Sequence, residues 1–239
     1  YGCFAPVQAF LDAFHEYGID PTMEEVRGPM GMLKIDHIRT MLQGERISAL
    51  WRDKYGRDWT EKDVQDVYEL SEKKILEILS DFADPKPYVT ETVASLREMG
   101  MKIGSTTGYT DEMMSIVVPK AKELGYEPDC WFSPNAVGNY GRPYPYMIFK
   151  NMETLGLSDV RAVIKVGDTV SDIREGIHAG MKTVGIVEGS SVLGLSKGEF
   201  DALTEKEQRE QYERAEKIYK EAGADYVIRD IRGLLDIVK

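Results

Sequence analysis

From about residue 5 to residue 82, apolar side chains recur every three or four positions, the period of helices with one buried face. In VQAFLDAFHEYG the residues Val7, Phe10, Leu11 and Phe14 share that face, and Gly18 closes the segment. PTMEEVRG predicts a short helix with Thr22 as N-cap and Glu25 three residues on, the spacing of a capping box. A helix through Lys34 follows, then ERISALWRDKYG, then the capped amphipathic stretch TEKDVQDVYELSEKKILEILSDFA. None of these segments carries the alternation of a strand.

After DPKPY the pattern changes. VTETVASLREMG predicts a helix, and MKIGSTTGYT a short apolar strand running into a Ser/Thr/Gly turn. DEMMSIVVPKAKELG, PYMIFKNMETLG and DIREGIHAG read as helices, separated by the strands DCWFSP and AVIKVGDTVSD. KTVGIVEG predicts another strand, followed by a polar excursion, the charged helix TEKEQREQYERAEKIYKEAG, the strand ADYVIRD and a closing helix. Strands alternating with helices predict an α/β, Rossmann-like parallel sheet wrapped by helices. The expected organisation is an all-helical cap over residues 4–83, inserted near the N-terminus of a core formed by 1–3 and 84–239. In such sheets ligands bind beyond the carboxyl ends of the strands, so the residues just after each strand hold the chemistry.

Composition narrows the choice of partner. The 239 residues are 42% hydrophobic and 30% charged, ordinary for a globular protein. A net charge of −11 without a local basic patch argues against a nucleic-acid or anionic-membrane partner. An anionic small molecule would then need a local cation or a metal. No apolar run approaches the roughly 18 residues of a membrane span, and no signal-peptide pattern is present. Cys3 and Cys130 are too few for a disulfide framework or a zinc site, and a reducing cytoplasm is expected.

Three turns carry candidate chemistry. STTGYT offers hydroxyls and backbone N–H groups at a helix start, which suits a phosphate; it also suits a simply capped turn. In NYGRPYPY, Arg142 between Gly141 and Pro143 presents a stiffly held donor fork for phosphoryl or carboxylate oxygens, or is a surface arginine. In KVGDTVSD, Asp168 at the strand end and Asp172 four residues on are hard oxygen donors suited to Mg²⁺, although either Asp168 or Ser171 could serve as a helix cap. A fourth feature stands apart. Lys34 lies in the otherwise apolar MGMLKIDH, with Met30 and His37 on the same helical face; a snorkelling lysine would explain it equally.

A hydroxyl turn, a basic residue before proline and GDxxxD, each closing a strand, resemble motifs of the haloacid dehalogenase (HAD) superfamily, with Arg142 where most members have lysine. Together with MGMLKIDH, the motifs IGSTTGYT, GRPYP and KVGDTVSD closely resemble the phosphonatase family within it. The resemblance implies Mg²⁺-dependent hydrolysis of the C–P bond of phosphonoacetaldehyde, with Lys34 forming a Schiff base and an aspartate becoming phosphorylated. It implies that Thr107 and Arg142 hold phosphoryl oxygens and that Asp168, with Asp172 behind it, positions the metal. Gly108 and Tyr109 are expected to border the phosphoryl site, with Met30, His37 and Cys3 near the imine. Met30 and Cys3 could equally be packing residues, and Tyr109 a roof to the pocket. A lysine that attacks an aldehyde must be neutral, and an apolar setting with nearby cations is expected to provide for that. His15 and His178 carry no motif. A homodimer joined through the caps is implied as well.

The resemblance places the nucleophilic aspartate on an apolar strand upstream of Tyr1, and a segment of roughly 15–20 residues is expected there. Without that central strand two sheet edges would be left unpaired inside the core, so a chain beginning at Tyr1 is expected to fold poorly and not to turn over. Two rival readings remain at this stage: an ordinary HAD phosphomonoesterase or phosphomutase, and a non-catalytic phosphate-binding module.

Overall fold

The structure is a computed structural model and describes residues 4–29 and 34–239. Among these, the chain divides into a unit of residues 4–82 and a unit of residues 83–239, so that Ala83 falls with the second unit.

The first unit is helical. It contains α1 (Phe4–Glu16), α2 (Met23–Arg27), α3 (Lys34–Gln43), α4 (Glu45–Tyr55) and α5 (Glu61–Ile78), the last running into a 3-10 turn at Leu79–Phe82. Thr22 and Glu25 make both halves of the capping box at the start of α2, and Arg46 from α4 grips the same Glu25 carboxylate at 2.6 and 2.9 Å. Thr60 and Asp63 repeat the motif at the start of α5. These caps satisfy N–H groups that no helix can bond internally. The apolar stripes meet in one core: Phe10 and Phe14 of α1, Ile38 and Leu42 of α3, Trp51 of α4, and Val64 and Val67 of α5. Burying side chains of this size contributes about 1.5–3 kcal/mol each, which gives these helices their stability.

The second unit alternates strand and helix. Its elements are α6 (Val89–Glu98), β1 (Gly104–Thr106), α7 (Asp111–Glu123), β2 (Cys130–Phe132), α8 (Tyr146–Leu155), β3 (Ile164–Gly167), α9 (Val170–Ala179) and β4 (Lys182–Ile186). They continue with α10 (Lys197–Asp201), α11 (Glu205–Glu221), β5 (Tyr226–Ile228) and α12 (Leu234–Ile237). The polar excursion after β4 conceals α10, whose start is a further capping box, Ser196 with Glu199. All strand pairings are parallel, as the alternation predicts.

The described strands do not form one sheet. Among the described residues β1 pairs with β2, while β3, β4 and β5 pair in that order. β1 and β3 therefore each have one edge without a described strand partner, and side chains bridge them: Lys165 of β3 donates to the Thr106 hydroxyl of β1 at 2.7 Å. Val184 of β4, Leu96 of α6 and Leu234 of α12 centre one apolar cluster, and Tyr219 of α11 fills another beside Ile173 and Val187. Among the described residues no helix is long and apolar enough to cross a membrane.

Candidate active site

Each expected turn of the α/β unit follows its strand, and the two capping duties that Thr107 or Asp168 could have served fall to other residues. After β1, Thr110 caps α7 by accepting from the Met113 N–H. Thr107 is thus not the cap; its Oγ1 accepts from the Tyr109 N–H at 3.0 Å and folds the turn around Gly108. After β3, Thr169 caps α9 through the Asp172 N–H, which leaves Asp168 free of that duty.

The turns converge. Arg142 donates through Nη1 to Asp172, and a Cβ placed on Gly108 would lie 3.3 Å from Arg142 Nη2. The guanidinium is no surface arginine, with its side chain only 20% exposed. The loop bearing it is pinned from behind by His178, whose Nδ1 donates to the Pro143 carbonyl at 2.8 Å. Gly167 is needed because β3 and α9 approach closely: a Cβ there would fall 2.1 Å from that of Asp172.

Asp172, four residues after Asp168, is engaged on both carboxylate oxygens. Its Oδ1 accepts from Arg142 and from Lys165 Nζ at 3.0 Å, and its Oδ2 accepts from the Thr169 hydroxyl at 2.6 Å. Burial works to raise the carboxyl, but Lys165, Arg142 and the hydrogen bonds outweigh it and hold it well below the usual carboxylate range. A carboxylate engaged on both oxygens by cations and a hydroxyl acts as an anchor for them.

Asp168 differs. Its side chain is 34% exposed, and Oδ2 faces Lys86 Nζ at 3.2 Å and the Ser191 N–H and hydroxyl at 3.3 and 3.4 Å. Lys86 also donates to the Gly189 carbonyl. Among the described residues no cluster of three or more His, Cys, Asp or Glu is assembled for a metal. The donor set suits Mg²⁺, which takes one or two carboxylates and keeps several waters.

Sequence reasoning missed Lys165 and Glu175. Lys165 donates to Glu175 Oε2 at 2.7 Å as well as to Asp172 and Thr106, with its side chain 10% exposed. Glu175 is fully buried, accepts from the Thr106 hydroxyl at 2.9 Å, and leaves Oε1 without a partner among the described residues. The signal was present: a lysine inside the apolar run AVIKVG, and an acid three residues after Asp172 on the same helical face.

In the helical unit, Lys34 opens α3 and His37 follows one turn on. Lys34 Nζ donates to Glu72 Oε1 of α5 at 2.7 Å, so a carboxylate stands beside it where nearby cations were expected. His37 is buried in the core, its ring 4.3 Å from that of Phe10, and burial pushes its imidazole down to about 4 against an opposing hydrogen bond to Val26. Met30 and Cys3 lie outside the described residues.

Parallel strands carrying a hydroxyl turn, a partly buried arginine and a strand-end aspartate define a haloacid dehalogenase-like hydrolase, and the family model of that description matches residues 7–180. A second HAD-hydrolase-like model matches residues 139–234. The phosphonoacetaldehyde hydrolase of Lysinibacillus sphaericus is 50% identical over 234 residues, 98% of this chain and 87% of that protein. A bifunctional phosphonoacetaldehyde hydrolase/aminoethylphosphonate transaminase of Clostridioides difficile is 48% identical over all of this chain, which covers 37% of that longer protein. A crystal structure of a phosphonoacetaldehyde hydrolase-like protein from Oleispira antarctica superposes with a TM-score of 0.85 at 36% identity, covering 98% of this chain and 85% of that one. The chain belongs to the phosphonoacetaldehyde hydrolase family of haloacid dehalogenase-like hydrolases.

Proposed function

We propose that this protein hydrolyses the C–P bond of phosphonoacetaldehyde to acetaldehyde and phosphate, through an imine on Lys34 and an aspartyl-phosphate. The observation that carries the reading is the pairing of two chemistries in one chain. The α/β unit gathers Gly108, Arg142 and Asp172 at its strand ends, and the helical unit keeps a partly buried lysine against a carboxylate. Relatives that share about half of its residues bear that hydrolase's name.

A phosphoryl group alone would need only the first half. Cleaving carbon from phosphorus leaves an electron pair on carbon, and a carbonyl converted to an iminium on the adjacent carbon accepts it as an enamine. Lys34 supplies that amine. Arg142 and the Thr107 turn hold phosphoryl oxygens, and the missing Cβ at Gly108 lets them approach the guanidinium. Asp172 and Lys165 fix Arg142 before substrate arrives, so little reorganisation is left for the reaction itself. Asp168 with a Ser191 hydroxyl nearby is the position for Mg²⁺, which when bound would offset phosphoryl charge as a Lewis acid. Among the described residues the edges of β1 and β3 lack a strand partner, and a further parallel strand carrying the attacking carboxylate would be accommodated there. The helical unit serves as a cap that closes over substrate and excludes water, and a homodimer joined through the caps, in the cytoplasm, completes the proposal.

The test is chemical trapping. Folded protein is incubated with phosphonoacetaldehyde, reduced with borohydride, and mapped by peptide mass. A reduced adduct on Lys34 is the expected result. Turnover of sugar phosphates with no adduct would make the protein an ordinary phosphomonoesterase.

A further inference from the structure

Resting on the reading of Arg142 as the phosphoryl-binding cation, we infer that Glu175 is a positioning residue for that group: it draws Lys165 aside and so leaves the Asp172 carboxylate to Arg142. Glu175 lies inside α9, well past the cap at Thr169, on a buried face that the fold could fill with an apolar side chain. Replacing a buried ion pair by apolar groups of similar volume is often neutral or stabilising, so stability alone does not call for a carboxylate there.

The competition is visible at one atom. Arg142 Nη1 and Lys165 Nζ both donate to Asp172 Oδ1, the lysine at 3.0 Å. Two cations on one oxygen repel each other, so each loosens the other's hold. Lys165 has two shorter bonds elsewhere, to Glu175 Oε2 and to the Thr106 hydroxyl, both at 2.7 Å. That hydroxyl in turn donates to the same Oε2 at 2.9 Å, so Glu175 gathers the lysine and the end of β1 at a single oxygen. The lysine is confined on its way there because α9 lies close on β3 and β4. A Cβ on Gly176 would fall 2.8 Å from Lys165 Cβ and 2.5 Å from Thr183 Cγ2.

Glu175 also acts on Arg142 through space. Burial is the largest influence on the Arg142 charge and opposes it; Asp172, and after it Glu175, offset that cost. Arg142 and Lys165 thus face two enclosed carboxylates, Asp172 and Glu175. Neutralising Glu175 leaves two cations to one carboxylate. Lys165, with its nearest anion gone, then turns to Asp172 Oδ1, and Arg142 loses the anchor that holds it beside Gly108. Thr106 directly precedes the Thr107 turn, so the same carboxylate steadies the second piece of the phosphoryl site as well.

The experiment compares three quantities on the full-length protein with Mg²⁺ present. They are the KM for phosphonoacetaldehyde, the inhibition constant of inorganic phosphate, and the rate of borohydride-trapped adduct formation with acetaldehyde, which has no phosphoryl group. Glu175→Gln keeps the size and the hydrogen bond to Thr106 but drops the charge. KM and the phosphate constant should both rise about tenfold, while the acetaldehyde adduct forms at the wild-type rate. Adding Lys165→Met to that variant removes the competitor too, and should return both constants to within about threefold of wild type, with circular dichroism and urea unfolding confirming folded proteins. Unchanged phosphate inhibition in Glu175→Gln would overturn the inference. So would a double variant as weak as the single one, or an adduct rate that falls in step with phosphate binding, since either would leave Glu175 a support of the fold alone. A wild type that forms no adduct and ignores phosphate would instead remove the functional reading, and this inference with it.

Discussion

Lys34 in the helical unit and Lys165 in the α/β unit are both paired with carboxylates, yet they are built for different work. The Lys165 ammonium has three donors and spends them on Asp172, Glu175 and Thr106 at 2.7–3.0 Å, with its side chain 10% exposed. It is a tie between β3, α9 and β1, and no lone pair on it can reach a substrate. The Lys34 side chain is nearly three times as exposed, at 27%, and that of Glu72 beside it is open to a similar degree, at 25%. A buried, fully bonded charge keeps a framework in place, whereas a partly open one can exchange a proton and meet a ligand.

The sharpest way to break this contrast is to keep both charges and change the chemistry. Lys34→Arg retains a cation that can still pair with Glu72 but has no amine to form an imine. Turnover of phosphonoacetaldehyde should fall on the order of 10⁴-fold or more with unchanged folding, the loss expected when a covalent nucleophile is removed. Retained turnover would make Lys34 an anion clamp and the two lysines alike.

Lys165→Met attacks the framework. It leaves the fully enclosed Asp172 and Glu175 carboxylates short of a cation, and should cost about 3–5 kcal/mol in urea unfolding. A cost under about 1 kcal/mol would mean that Arg142 and the hydroxyls suffice for that cluster. Stability of the helical unit should depend on pH through His37. The unfolded imidazole takes up a proton near 6.5 and the folded one only near about 4, so the unfolded state binds more protons between these values. Stability is therefore lost as pH falls from 6.5 toward 4, by up to about 3 kcal/mol, and His37→Leu should flatten that part of the curve in denaturant titrations.

The smallest effect belongs to Lys86, which faces Asp168 from a half-open position, 41% against 34% exposed. On the proposed reading, a bound Mg²⁺ would share Asp168 with this ammonium. Lys86→Met should tighten Mg²⁺ binding in calorimetric titration by up to about fivefold, since exposed ion pairs are worth about 0.2–1 kcal/mol. Lys150→Met, which removes a surface charge paired to Glu153, should leave it unchanged.

Much of the architecture was legible in local signals. Thr22 with Glu25 marks the start of α2 because both partners of the cap lie within four residues, and the apolar positions of α1 are buried as their spacing requires. The strand-end positions of Thr107 and Asp168 were legible because the switch from an apolar run to a turn marks where each strand stops. Helix α10 escaped notice although Ser196 and Glu199 cap it, since five residues are too few to show an apolar period.

By itself the sequence determined the order of helices and strands, the parallel sense of the strands and the hydroxyl, arginine and aspartate turns, because each depends on residues only a few positions apart. Tertiary structure alone decided which charges meet. Lys165 reaches Thr106 across 59 positions and Lys34 reaches Glu72 across 38, and only the packing of their elements selects these partners from many scattered acids and hydroxyls. It also turned Asp172 toward Arg142 and Lys165, because a carboxylate buried in the α/β unit is held there by the cations that compensate it.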